Sequence, residues 1–178
     1  MADHAKKPHS IWERLRAVED HLEIMNLIAS HPPSADTGAD YFTRAAYTDD
    51  GVIDLGGGKG ATGNDKIAAM VKEPGHQAAI AGGLAHFAGL PRIEIDGDTA
   101  VATSYLQIIT PHPTAEPHEV PNHGVGKGFR IHRVGANRWE LVRTQSGWKI
   151  KKRTLRSLDG SEPAREVLRA ALKSYEPV

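Results

Sequence analysis

Residues 86–112 read HFAGLPRIEIDGDTAVATSYLQIITPH. Two apolar, β-branched runs flank Asp96-Gly97-Asp98. Asp-Gly between such runs signals a hairpin, because glycine readily takes the positive φ that these turns need. The pattern predicts strands over about 84–95 and 99–110. Antiparallel pairing around the turn returns the end of the second strand towards the start of the first. His86 and His112 are therefore expected at one end of the hairpin, lining one pocket.

The β pattern continues downstream, with strands expected near 123–134, 138–145 and 148–157, joined by turns at Gly135-Ala136-Asn137 and Gln145-Ser146-Gly147. Residues 111–121 carry four prolines and no apolar periodicity, the signature of a loop able to lie over a pocket mouth. Upstream the reading is helical. Ser10-Ile11-Trp12-Glu13 has the form of a capping box, and Ile11, Leu15, Val18, Leu22 and Met25 follow at helical spacing, predicting a helix with that stripe buried. Pro32-Pro33 ends it by about Ser30. A second helix is expected over 39–47 with Asp36 in the turn before it, then a strand at 52–55, a glycine loop at 56–60, and a third helix over 65–72 capped by Asn64 and closed by Pro74-Gly75. Ser161-Glu162-Pro163 opens a last helix that buries Leu168, Leu172 and Tyr175.

Helices first and antiparallel strands afterwards describe an α+β domain, not a βαβ repeat. A strongly curved, mostly antiparallel sheet packed on a few N-terminal helices leaves a cone-shaped cavity, a natural small-molecule site. The expected organisation is a flexible N-terminus over 1–10, one α+β domain over 11–160, and a C-terminal helix over 161–178.

Composition narrows the function classes. Lys+Arg 22 against Asp+Glu 22 in 178 residues gives a formal net charge of zero, which points away from nucleic acid and anionic membranes as partners and eases self-association. There is no cysteine, so disulfides, thiolate metal sites and cysteine nucleophiles are excluded. The first ten residues, MADHAKKPHS, have no apolar run behind their lysines, so neither a signal peptide nor a membrane span is expected and a cytoplasmic location is the default.

Several residues gather into a pattern of known kind. The order Asp36, then Tyr47-Thr48-Asp49-Asp50-Gly51, then Leu84-Ala85-His86-Phe87, then Gly147-Trp148-Lys149-Ile150 resembles the nuclear-transport-factor-2-like (SnoaL-like) superfamily, with its cystatin-like fold, over roughly residues 11–157. It looks most like the branch that holds scytalone dehydratase and hexachlorocyclohexane dehydrochlorinase. The resemblance implies a cofactor-free enzyme in which Asp36 and His86 form the dyad that acts as base. By the same resemblance His112 stands at a second substrate-facing histidine, Asn137 at a pocket asparagine and Tyr105 at a strand tyrosine. The chain departs from scytalone dehydratase where Ala35 and Leu55 replace two tyrosines that hold the departing water, and where Gly135 replaces a serine. Leu55 and Phe87 complete the expected substrate-binding set. Related proteins form dimers or trimers through the outer sheet face, so a homodimer or homotrimer is implied.

The chemistry stands on the residue types alone. A neutral imidazole works near physiological pH, and a carboxylate on its other nitrogen fixes the tautomer and stabilises the imidazolium. Such a pair in an apolar cavity takes a proton from carbon or hydroxyl while His112, Tyr105 or Asn137 polarises an oxygen. The expected reaction is elimination of water, halide or a small carbonyl fragment by carbon–carbon cleavage; the resemblance implies formaldehyde as such a fragment and a small, apolar, aromatic hydroxylated compound as substrate. The rival readings are an isomerase or cyclase of the ketosteroid-isomerase or polyketide-cyclase kind, and a non-catalytic ligand-binding module.

The other motifs read as structure. His112, His118 and His123 lack metalloprotease spacing, and no metal site is expected. Lys59 is followed by Gly60 and not by Ser or Thr, so the glycine run reads as a strand-to-helix turn and not a phosphate loop. The basic run Lys149, Lys151, Lys152, Arg153 reads as a solvated strand face, and Trp139 and Trp148 as sheet packing.

Overall fold

The computed structural model describes residues 10–175; the segment expected to be loose, 1–9, lies outside them. Helix α1 (Ile11–Ala29) is followed by α2 (His31–Thr37), α3 (Asp40–Ala46), β1 (Tyr47–Gly56), β2 (Lys59–Thr62), α4 (Asn64–Met70), α5 (Pro74–Ala81), β3 (Ala85–Ala88), β4 (Arg92–Asp96) and β5 (Thr99–Pro111). A small hairpin, β6 (His118–Val120) with β7 (Gly124–Gly126), precedes the long strands β8 (Phe129–Thr144) and β9 (Gly147–Ser157), and α6 (Glu162–Ala170) follows them. The main sheet runs β2-β1-β9-β8-β5-β3, with β4 also on β5. Only β1 with β9 is parallel among its pairs. This is the expected α+β architecture: N-terminal helices on a curved, open, mostly antiparallel sheet.

The Asp96-Gly97 turn is where the sequence placed it, with Gly97 at φ 57°. The two runs around it are not one continuous hairpin, however. Gly89-Leu90-Pro91 separates β3 from β4, because proline has no N–H for the ladder. Both pieces still pair with β5.

The structure corrects other expectations. Gly135-Ala136-Asn137 is not a turn but the middle of β8. A Cβ on Gly135 would lie 2.8 Å from Leu155 Cδ1, so the glycine permits close approach of strands and not a reversal. Pro32-Pro33 ends α1 and also opens α2, so Asp36 sits in a helix and not in a turn. Pro74 likewise opens α5 where the chain was expected to leave helix. The glycine run forms the β1–β2 hairpin turn and not a passage into helix, and Gly63 caps α4 while Asn64 donates to Asp49 Oδ1 instead. Part of the proline-rich segment 111–121 pairs as β6 with β7.

The capping box on α1 is present. Its buried face is nevertheless Asp20, Ile24 and Ile28, while Ile11, Leu15, Val18 and Leu22 are exposed. Polar anchors decide this rotation. Asp20 accepts from both terminal nitrogens of Arg143, at 2.5 and 2.6 Å, and from Trp148 Nε1, and Glu23 accepts from the Trp148 backbone N–H. Helix α6 buries Ala164 and ends at Ala170, so Leu172 and Tyr175, expected on its buried stripe, lie beyond it and are exposed, Tyr175 in a short 3-10 turn over Lys173–Tyr175. The main core joins Ile24 and Ile28 to Tyr47, Ile53, Trp139, Leu141, Trp148 and Ile150.

Candidate active site

The concave face of the sheet and the short helices enclose a cavity of about 260 Å³. Its floor is Ile53, Leu55, Leu106, Arg153 and Leu155 from β1, β5 and β9. Helices α2 to α5 supply His31, Ala35, Thr43, Ile67, Met70 and His76. His86, from β3, stands in the wall.

Short-range chemistry positions the acid. Helix α2 is opened by two prolines and stopped by Gly38 in the left-handed region at φ 64°, a conformation glycine takes without the penalty of a side chain. Seven residues long, it projects Asp36 at the first residues of β3. There the carboxylate accepts three times from one residue: His86 N–H to Oδ2 at 2.9 Å and to Oδ1 at 3.2 Å, and ring Nδ1 to Oδ1 at 2.5 Å. With Nδ1–H donated to the carboxylate, Nε2 carries the free lone pair.

Burial of His86 holds its pKa below the ordinary histidine value. The Asp36 hydrogen bond and charge oppose that shift, and the charges of Arg153 and His76 reinforce it. The imidazole is thus neutral at physiological pH and competent to accept a proton. His31 meets His86 edge-on at 6.2 Å between ring centroids and Trp139 at 5.3 Å. Its pKa lies well below the ordinary value, through burial first and then the charges of Arg153, His86 and His76. His76 Nε2 bonds the Ala35 carbonyl at 2.8 Å, tying α5 to α2 beside the dyad. Among the described residues no group of three or more His, Cys, Asp or Glu is placed to hold a metal ion.

The other expected residues are placed less simply. Leu55 lines the cavity. Asn137 is fully buried one step away, where its Oδ1 accepts from Arg153 Nε at 3.1 Å, so it acts on the cavity through the arginine. Phe87 and Tyr105 alternate with His86 and Leu106 along their strands and are 58% and 52% exposed on the opposite face. His112 is not among the cavity-lining residues; its Nδ1 accepts from the Ala115 N–H and its own N–H donates to Gly128 O, so it organises a turn.

The cavity also contains His31 and His76, which sequence reasoning passed over, and Tyr47, quoted there only as part of a family pattern. Arg153, read from the sequence as part of a solvated strand face, is instead buried at 4% exposure and lines the cavity. Arg153 reaches the inside because β9 slips phase. Glu140 pairs with Lys152, but Leu141 pairs with Ile150, leaving Lys151 unmatched in a bulge. Trp148 and Ile150 point inward before it, Arg153 and Leu155 after it. His31 carries a weak local signal, standing between the serine that ends α1 and the two prolines that open α2.

Residues 16–154 match the SnoaL-like domain family. Among solved structures, an NTF2-like protein with a cystatin-like fold from Novosphingobium aromaticivorans is 34% identical, with a TM-score of 0.79 over 93% of this chain and 99% of that one. A protein of unknown function from Mycobacterium tuberculosis is 18% identical, with a TM-score of 0.65 over 96% of this chain and 94% of that one. A proposed scytalone dehydratase from N. aromaticivorans is 19% identical, with a TM-score of 0.59 over 81% of this chain and 87% of that one. The last two are likenesses of fold. No curated protein matches the chain.

Proposed function

This chain belongs to the SnoaL-like domain family, and from that membership we propose that it is a cofactor-independent lyase in which Asp36 and His86 act as an orienting acid and a general base. The observation that carries the reading is the dyad itself. A carboxylate grips both the backbone N–H and Nδ1 of one histidine at the wall of an apolar-floored cavity. His86 Nε2 takes a proton from a carbon or hydroxyl of the substrate. When the proton comes from carbon, its electron pair forms a double bond and expels hydroxide or halide from the neighbouring carbon; when it comes from a terminal hydroxyl, the oxygen's pair forms the carbonyl of formaldehyde as the adjacent C–C bond breaks and leaves its pair on the other carbon. The imidazolium gives its proton to the departing hydroxide, to that carbanion or, after halide loss, to solvent, and Asp36 stabilises it in between.

A 260 Å³ cavity with leucine and isoleucine on its floor suits one small ring system. The proposed scytalone dehydratase among the fold neighbours supports aromatic hydroxylated compounds as the class to try first. Ala35 and Leu55 bring no hydroxyl to the cavity, and Tyr47, with its buried hydroxyl, is the tyrosine in the lining available to a departing oxygen.

Turnover of aryl-substituted alcohols, 1,3-diols and halides, followed by mass spectrometry without added metal or cofactor, tests the proposal. Wild type should release water, halide or formaldehyde, and His86→Ala should be slower by about 10²–10⁴-fold. Product of unchanged mass would point instead to an isomerase or cyclase. Equal rates for the two proteins would remove His86 as the base.

A further inference from the structure

The cavity floor holds a cation with no anion beside it. Arg44, Arg92, Arg138, Arg143 and Arg156 each pair with a carboxylate. Arg153, at 4% exposure the arginine most removed from solvent, has no such pair among the described residues. Its Nε is spent on Asn137, and its guanidinium carbon lies 4.6 Å from the Trp139 ring centroid. Asn137 and Trp139 thus fix the plane of the fork. The buried Tyr47 hydroxyl faces the Arg153 guanidinium but, like Asn137 Nδ2, makes no close hydrogen bond. Arg133 adds positive charge to the cavity lining, with Glu73 as the acidic group there besides the dyad's own Asp36.

An uncompensated buried charge is costly, and a guanidinium does not escape by losing its proton. The cost is relieved when a ligand brings the missing charge. From this arrangement we infer that the cavity takes a substrate bearing an anionic oxygen, a carboxylate or an ionised phenol, which Arg153 receives by paired N–H donors while the apolar body lies against Leu55, Leu106 and Leu155. The inference rests on the reading of this cavity as the substrate site and supplies its charge class. It makes Arg153 a specificity-determining residue held by Asn137.

Calorimetric titration with matched probes tests it without turnover: benzoate against benzamide, and 4-nitrophenolate against 4-nitroanisole at a pH where the phenol is ionised. Wild type should bind at least one anion about tenfold or more tightly than its neutral partner, the worth of one to two charge-assisted hydrogen bonds. The pair that discriminates identifies the carboxylate or the phenolate as the source. Arg153→Met should abolish the preference and Arg153→Lys retain part of it. Should the methionine variant fail to fold, Arg153→Gln decides in its place, since it keeps an amide N–H for Asn137 without the charge: the preference should be lost there too. Equal binding of anion and neutral partner by wild type would overturn the inference, as would a preference kept in Arg153→Met or Arg153→Gln. His86→Ala should keep the preference, so failure of the lyase reading and failure of this inference are distinguishable.

Discussion

Asp36 spends both carboxylate oxygens on one residue, so it sets where the His86 ring lies and which nitrogen is free. Asp36→Asn keeps the shape but can present an N–H to Nδ1, which favours the wrong tautomer. The expected loss in kcat is on the order of 10²-fold or more, read in the same turnover assay as His86→Ala. The pH profile carries an independent sign. Burial holds His86 below the ordinary value of 6.5, and Asp36 partly opposes it. The acid limb of kcat/KM should therefore fall below pH 6.5, and Asp36→Asn, by removing the opposing influence, should move it lower still. Stability follows the same group. On acidification the unfolded chain takes up histidine protons first, because both His86 and His31 have lowered values when folded. Stability should be level above pH 6.5 and decline below it, as chemical denaturation at several pH values would show. Flat stability from pH 7 down to 5 would contradict the buried neutral histidines.

The strands show how far periodicity carries a reading. The β-rich second half, the Asp96-Gly97 hairpin and the Gln145-Ser146-Gly147 turn were legible because apolar alternation and turn chemistry are local signals. Arg153 was not, since one bulged residue reverses the alternation and the extra residue looks like any other lysine. Asn137 was named by resemblance as a pocket residue but stands behind Arg153 and not in the cavity lining, and the nearby Gly135 mimicked a turn. The face that α1 buries was likewise hidden, because distant polar partners chose it. Asp20 lies beneath Arg143 and Trp148, more than a hundred residues away in sequence. Asp20→Ala would leave both terminal nitrogens of that guanidinium, whose Nε still donates to Asp98, and an indole N–H without their acceptor, and would loosen α1 from the β8–β9 hairpin. The expected cost is about 2–3 kcal/mol, or roughly 5–10 °C in Tm, measurable by thermal unfolding. A change within about 1 °C would mean that apolar packing of Ile24 and Ile28 alone seats the helix.

At the scale of the whole chain, a zero formal net charge offers no long-range repulsion between copies. Among the described residues, two of the apolar surfaces open to solvent bear on assembly. One is the outer face of the sheet, where Phe87 and Tyr105 stand on paired strands with their chain neighbours His86 and Leu106 turned into the cavity. The other is the α1 stripe of Ile11, Leu15, Val18 and Leu22. Because cavity and outer face share β3 and β5, an assembly built on the outer face would stiffen the strand that carries His86. Light scattering on the eluting protein should give two or three times the 19.3 kDa chain mass. Tyr105→Glu should shift it towards the single-chain value, since a buried unpaired carboxylate is incompatible with a packed interface. Leu15→Glu is the matched control on the helix. Dissociation by Leu15→Glu alone would move the interface to α1 and uncouple assembly from the dyad, whereas a single-chain mass for wild type would leave both surfaces free.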